Sequence, residues 1–265
     1  SFTTDQQLIT KKYVDDNASS IVKPSPSKSI AAGINAGATS QGSDAIALGT
    51  NAGQSSQGSD SVAIGRSAAS STQGTAGIAV GSNAAGQNQN PYAVAIGYYA
   101  GQTTQGSSSV AIGNQSGFNT QGTNSVAVGN IAGNNSQGTY GVAIGYGAAQ
   151  TSQGGSSVAI GNQAGLNTQG NSSIAIGILA GAANQQGSTV AIGNRAGNNN
   201  QGANSVAVGA YAGINNQHPN TVVLNGTGGG FNTDRPNATF VKPIRNANLT
   251  HQLRYDLTTG EISYW

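Results

Sequence analysis

A glycine that recurs every sixteen residues constrains this chain more than any other feature. The Gly closing each tetrad of the type Val-Ala-Ile-Gly stands at 33, 49, 65, 81, 97, 113, 129, 145, 161, 177, 193 and 209, and the series ends at Asn225, where TVVLN replaces SVAIG. A period held this long without insertion decides the architecture before any local reading does. Sixteen residues are too few for a strand, a crossover helix and its turns, which need roughly 30, and helical solenoid repeats run to about 33 or more. The repeats are filled with Gly and β-branched residues, which disfavour helix and suit short strands. One repeat is therefore read as one coil of a parallel β-solenoid. Coils rise about 4.8 Å each, so twelve make a rod of roughly 55–60 Å. The expected fold class is all-β: a β-roll of about twelve sixteen-residue coils over residues 30–225, preceded by a short N-terminal helix and connector over 1–29 and followed by a small β-hairpin capping domain over 226–265.

Within each tetrad two branched residues flank a small one, as in Val62-Ala63-Ile64, Val110-Ala111-Ile112 and Ile174-Ala175-Ile176. Side chains alternate across a strand, so the branched pair shares one face and Ala takes the other. The branched face is expected to fill the coil, and the Ala face to pack on a second copy of the chain. Two aliphatic side chains are little to set against the ordering of sixteen residues, which also favours an obligate homo-oligomer. The small pairs further on, Ala52-Gly53 and Ala132-Gly133 among them, suit a tight bend. Gln then recurs once per coil. Gln57, Gln73, Gln105, Gln121, Gln137, Gln153 and Gln169 are read as rungs of a structural amide ladder, with the Gly that mostly follows as a turn residue.

Composition excludes several functions. Only 7% of the 265 residues are charged and the net charge is +2, which gives no electrostatic case for nucleic acid or an anionic membrane surface. No apolar run reaches the ~18 residues of a membrane span and no signal-peptide pattern opens the chain. Cys is absent, so disulfides and thiolate metal sites are not available. Met is absent even at position 1, so a processed or excised piece of a longer product is expected. Between Ile30 and Asn225 the charged residues are Asp44, Asp60, Arg66 and Arg195. Asp44 and Asp60 fall one period apart and should stack on adjacent rungs, where a close carboxylate pair could bind a cation or perform glycosidase-type acid/base work, but two solvated acids near a solenoid end account for them. His218 reads as a turn variant beside Pro219, and the Gly-rich GTGGG lacks the strand, Lys and helix of a phosphate loop. No catalytic, metal or cofactor site is expected.

The two positions after each tetrad Gly vary freely, which suits a recognition edge on a fixed scaffold. Arg66, Tyr98, Tyr99, Tyr146 and Tyr211 are the candidate receptor-binding residues, since Tyr stacks on sugar rings and is favoured in interfaces. Phe118, Leu166 and Ile214 share another column and are candidates to line an oligomer axis. A hydroxyl-rich column at Thr72, Thr104, Thr120, Ser136 and Thr168 raises ice binding as a lesser alternative.

The SVAIG repeat over residues 30–225 resembles the head of trimeric autotransporter adhesins, although that family's repeats are nearer fourteen residues. The resemblance implies a homotrimeric, left-handed β-roll. TKKYVDD, near the N-terminus, resembles connectors in phage and viral tail fibres. FVKPIRN and LRYDLTTGEISYW are similar to the segment that precedes the self-cleaving chaperone of endosialidase-type tail proteins, a chaperone that such families lose by autoproteolysis. Together these resemblances imply a fibre or spike segment at the surface or tail of a virus or phage, attaching to a host cell-surface glycan or protein and joined at its termini to other virion components. A bacterial surface adhesin head is the alternative.

Overall fold

The computed structural model describes residues 29–244, Asp256 and the strands Leu253–Tyr255 and Ile262–Tyr264. The expected N-terminal helix lies outside the described residues. The described chain is an all-β parallel solenoid of about thirteen coils, without helix. Most coils contribute a three-residue strand from the tetrad to one sheet and a short strand ending at the Gln to a second. The tetrad sheet has fourteen strands, from Ile30–Ala32 to Thr239–Lys242, and the glutamine sheet has ten, from Ser56–Gln57 to Asn199–Gln201. Register follows the period, with Val110 beside Val126, Ala111 beside Ala127 and Gln121 beside Gln137. Identical residues thus stack on themselves along the rod.

The tetrad Gly adopts φ near +125° at rung after rung, as at Gly49 (+123°) and Gly177 (+125°). A methyl on Gly49 would lie 2.8 Å from the Gly65 carbonyl oxygen of the next rung, so conformation and close stacking both demand glycine there.

The structure overturns the expected orientation of the tetrad. Ala63, Ala111, Ala127, Ala175 and their counterparts are fully buried, whereas the flanking residues are half-buried or exposed, Ile112 at 38%. The reason is the thinness of the coil. A methyl added at Gly133, on the opposite wall, would sit 3.2 Å from the Ala127 methyl and 3.0 Å from Gln137 Oε1. The two walls are already in contact through Ala, Gly and Gln, so on the repeating rungs there is no room for a residue as large as Val between them. Ala recurs because the chain packs on itself there, and the branched residues form the outer surface of the tetrad sheet.

The interior is completed by the small pairs, with Ala52, Ala132 and Ala164 wholly buried, and by the Gln column, in which Gln105 and Gln201 are also wholly buried. Each Gln ties the two sheets together. Gln105 Nε2 donates across the coil to the Val94 carbonyl at 2.7 Å, and Gln121 Nε2 does the same to Val110. The amide ladder is present in stretches: Gln73 donates to Gln89 and Gln89 to Gln105, both at 3.0 Å, then Gln121 to Gln137 and Gln153 to Gln169. It is interrupted where an amide donates to backbone carbonyls alone. Gln137 gives its hydrogens to the Val126 and Gly141 carbonyls, and the Gln153 Oε1 beyond it goes unpaired.

The tetrad sheet continues past the boundary expected at Asn225. Thr239–Lys242 adds to it in parallel after a seventeen-residue step, Val223 beside Phe240. In this column the inward residue grows from Ala207 to Val223 to Phe240. Phe231 bridges to Ala212 and meets Phe240 edge to face at 6.3 Å. The two aromatics close the end of the small-residue core, as a solenoid end requires. Leu253–Tyr255 and Ile262–Tyr264 pair antiparallel, as their alternation and the TTG between them suggest.

Candidate functional site

Asp44 and Asp60 are exposed, each in a left-handed turn at φ +55° and +57°. Among the described residues no group of three or more His, Cys, Asp or Glu gathers, and Asp234 pairs with Arg235 at 3.0 Å. His218 takes a structural part. Its backbone N–H donates to Thr233 Oγ1 at 2.9 Å, its Nδ1 lies 2.8 Å from the same oxygen, and its carbonyl accepts from Thr221 Oγ1.

The variable edge is where side chains depart from the repeat. It is the corner at which the chain leaves the tetrad strand, and the structure brings part of the candidate set together there. Tyr98 and Tyr99 meet edge to face at 4.2 Å, and Tyr99 packs on Phe118 at 5.9 Å. Phe118 thus stands beside the tyrosines as part of this edge. Leu166 shares its column, and a methyl on Gly147 would lie 3.7 Å from Leu166 Cδ1. Arg66 is exposed two rungs from Tyr98, and its Nη2 donates to Ser82 Oγ at 3.4 Å on the rung between them. The Tyr98 phenol is held above its usual range, first by its hydrogen bond with Tyr99, then by burial and the Tyr99 charge, with Arg66 opposing. Tyr146, three rungs on from Tyr98, is 51% exposed. Tyr211 lies at the far end of the rod with Arg195 over its ring, 6.0 Å from the centroid. The five residues therefore share an edge, but only Arg66, Tyr98 and Tyr99 gather on it, while Tyr146 and Tyr211 stand apart from them.

Two further tyrosines went unrecognised in the sequence. Tyr92 and Tyr140, 64% and 60% exposed, stand at the opposite corner, where the chain enters the tetrad strand. Tyr92 and Tyr98 flank Val94–Ile96, and Tyr140 and Tyr146 flank Val142–Ile144. The available signal was the column itself, where Asp44, Asp60, Asn124, Asn204 and Asn220 mark a turn with φ near +55°. Tyr92 (+62°), Tyr99 (+56°), Tyr140 (+60°) and Tyr211 (+58°) all occupy left-handed positions that Asn or Gly would fill at lower cost. Backbone strain of this kind costs of order 1 kcal/mol or more per residue, but it belongs to the repeat, since Ile131, Leu179, Ala76 and Ser188 adopt the same conformation in these columns.

The outer face of the tetrad sheet is the other unusual surface. Val or Ile flanks the Ala on nearly every rung, and Ile64, Ile96, Ile144 and Ile192 are each more than a third exposed. At about 4.8 Å per rung and a width near 10 Å for three residues, the stripe covers roughly 600 Å². Contiguous apolar patches on soluble monomers rarely exceed a few hundred Å².

The fold and these surfaces define a parallel β-solenoid, a repeat protein with an apolar flank and an aromatic edge. In comparison with known proteins, the chain matches no family model, no curated protein and no solved structure.

Proposed function

We propose that this chain is a segment of a homotrimeric attachment fibre or spike of a virus or phage, binding a host cell-surface glycan or protein through its aromatic edge. The exposed aromatic cluster carries this reading: on an otherwise uniform scaffold Tyr98, Tyr99 and Phe118 gather at one corner, with Tyr98 and Tyr146 about half exposed. Trimerisation is assigned to the outward Val and Ile stripe, in place of the Ala face, which the coil buries within itself. Three such stripes converging on an axis would remove from water the one large apolar surface that the solenoid leaves uncovered. The viral setting rests on the resemblance of the terminal segments to tail-fibre connectors and chaperone-linked tail proteins.

Two measurements test the proposal. Sedimentation equilibrium should give a mass three times that of the chain, and a folded monomer would overturn the assembly. Labelled wild type should bind a panel of cell envelopes and surface glycans, and the combined replacement of Tyr98, Tyr99, Tyr146 and Tyr211 by Ala should abolish that binding. Equal binding by both proteins, or none by the wild type, would overturn attachment through this edge.

Ice binding has one specific observation in its favour, the outward hydroxyl column of Ser56, Thr72, Thr120 and Thr168 on the glutamine sheet. A thermal-hysteresis measurement decides it.

A further inference from the structure

Both arginines of the solenoid stand on the tyrosine edge, and both of its acids, Asp44 and Asp60, stand in the turn column that precedes the tetrad strand. Arg66 begins a row that continues through Ser82 to Tyr98 on successive rungs, about 10 Å in all at ~4.8 Å per rung. Ser82 Oγ accepts from Arg66 Nη2 at 3.4 Å and from Asn83 Nδ2 at 3.1 Å. With its acceptor side engaged by two donors, the hydroxyl hydrogen remains for an outside acceptor. The row therefore presents a guanidinium, an amide NH2 and a hydroxyl donor together, and no carboxylate pairs with Arg66 among the described residues. At its upper end Tyr98, Tyr99 and Phe118 pack edge to face as an aromatic shelf in which Tyr98 is 47% exposed and offers a ring for stacking. Arg195 over Tyr211 sets a second guanidinium beside a tyrosine eight rungs away.

We infer that Arg66, Ser82, Asn83, Tyr98, Tyr99 and Phe118 form a subsite for an acidic saccharide, with a sugar ring stacked on the aromatic shelf and the carboxylate of the neighbouring sugar on Arg66 and Ser82. The inference rests on the attachment reading above and narrows it to one class of ligand. An acidic sugar meets both halves of the site, because the apolar face of its ring suits an aromatic plane and its anion suits a cluster of donors without a competing acid. A neutral sugar would leave the guanidinium without a charged partner. An aliphatic peptide would leave the three donors unmatched.

Isothermal titration with matched probes tests this: sialyllactose against lactose, and tetragalacturonate against its methyl ester. Wild type should bind at least one charged probe about tenfold more tightly than its neutral counterpart, as expected for a hydrogen-bonded charge. That preference should shrink with added salt. Arg66→Gln should reduce binding of the charged probe to the neutral level. Tyr98→Ala combined with Tyr99→Ala should weaken charged and neutral probes alike, with unchanged far-ultraviolet circular dichroism showing that the solenoid persists. Equal affinity for charged and neutral probes, an unchanged preference in Arg66→Gln, or no binding of any of the four would overturn the acidic-saccharide subsite. If tyrosine-dependent attachment to cells persists in those cases, the attachment reading survives; if attachment also proves independent of the tyrosines, both fail.

Discussion

The tetrad sheet and the glutamine sheet share one interior and present opposite exteriors. Inward, they contribute Ala and Gln to a core that touches across the width of a methyl group. Outward, the first shows Val and Ile, and the second shows short hydroxyls and amides such as Thr120, Ser136 and Asn88. The contrast teaches that in so thin a coil the interior has no room for bulky apolar residues. Those residues do their work outside, on one flank only, where burying them calls for another molecule. The polar flank needs nothing further.

Four substitutions test that contrast, and they should fall in a definite order. The largest effect is expected from Ala127→Leu, because the Ala127 methyl already meets the opposite wall at Gly133. Overpacking commonly costs about 1–3 kcal/mol. Here the loss should reach or pass the top of that range, read as a large fall in the thermal midpoint or a failure to fold. Gln105→Leu comes next. It removes the bonds of Gln105 to the Val94 carbonyl and from Gln89 Nε2, at about 0.5–1.5 kcal/mol each, and chemical denaturation measures it. Ile112→Glu on the outer tetrad face should leave a folded coil yet abolish association in sedimentation; an oligomer unaffected by this change would remove the stripe from the interface. Smallest is Thr120→Lys on the outer glutamine face, expected within about ±0.5 kcal/mol. A large loss there would mean that this flank is also covered.

Much of this was legible in the sequence, and the parts that were not have a common cause. The tetrad glycines disclosed the coil length and therefore the register, because in a stack of identical rungs Val110 can only sit beside Val126. The Gln column disclosed itself as structural, since a side chain retained on every coil is held by the scaffold. The breaks in the ladder were hidden, because they depend on which acceptors each amide reaches in space. Tyr92 and Tyr140 were passed over because they stand in a column occupied elsewhere by Asp, Asn and Ser, and exposure at a turn is not visible in residue type. The pairing of Arg66 with Ser82 needed the rung spacing as well as the edge, and Phe118 joined the edge only once its ring was placed against Tyr99.

By itself the sequence determined that this chain coils, how long each turn of the coil is, and that each strand has a branched face and an alanine face. Alternation distinguishes two faces without assigning an inside to either, since Val-Ala-Ile reads the same from both. Only the tertiary structure decided, by bringing two walls of one coil within reach of a single methyl group, that alanine belongs between them and the branched residues outside.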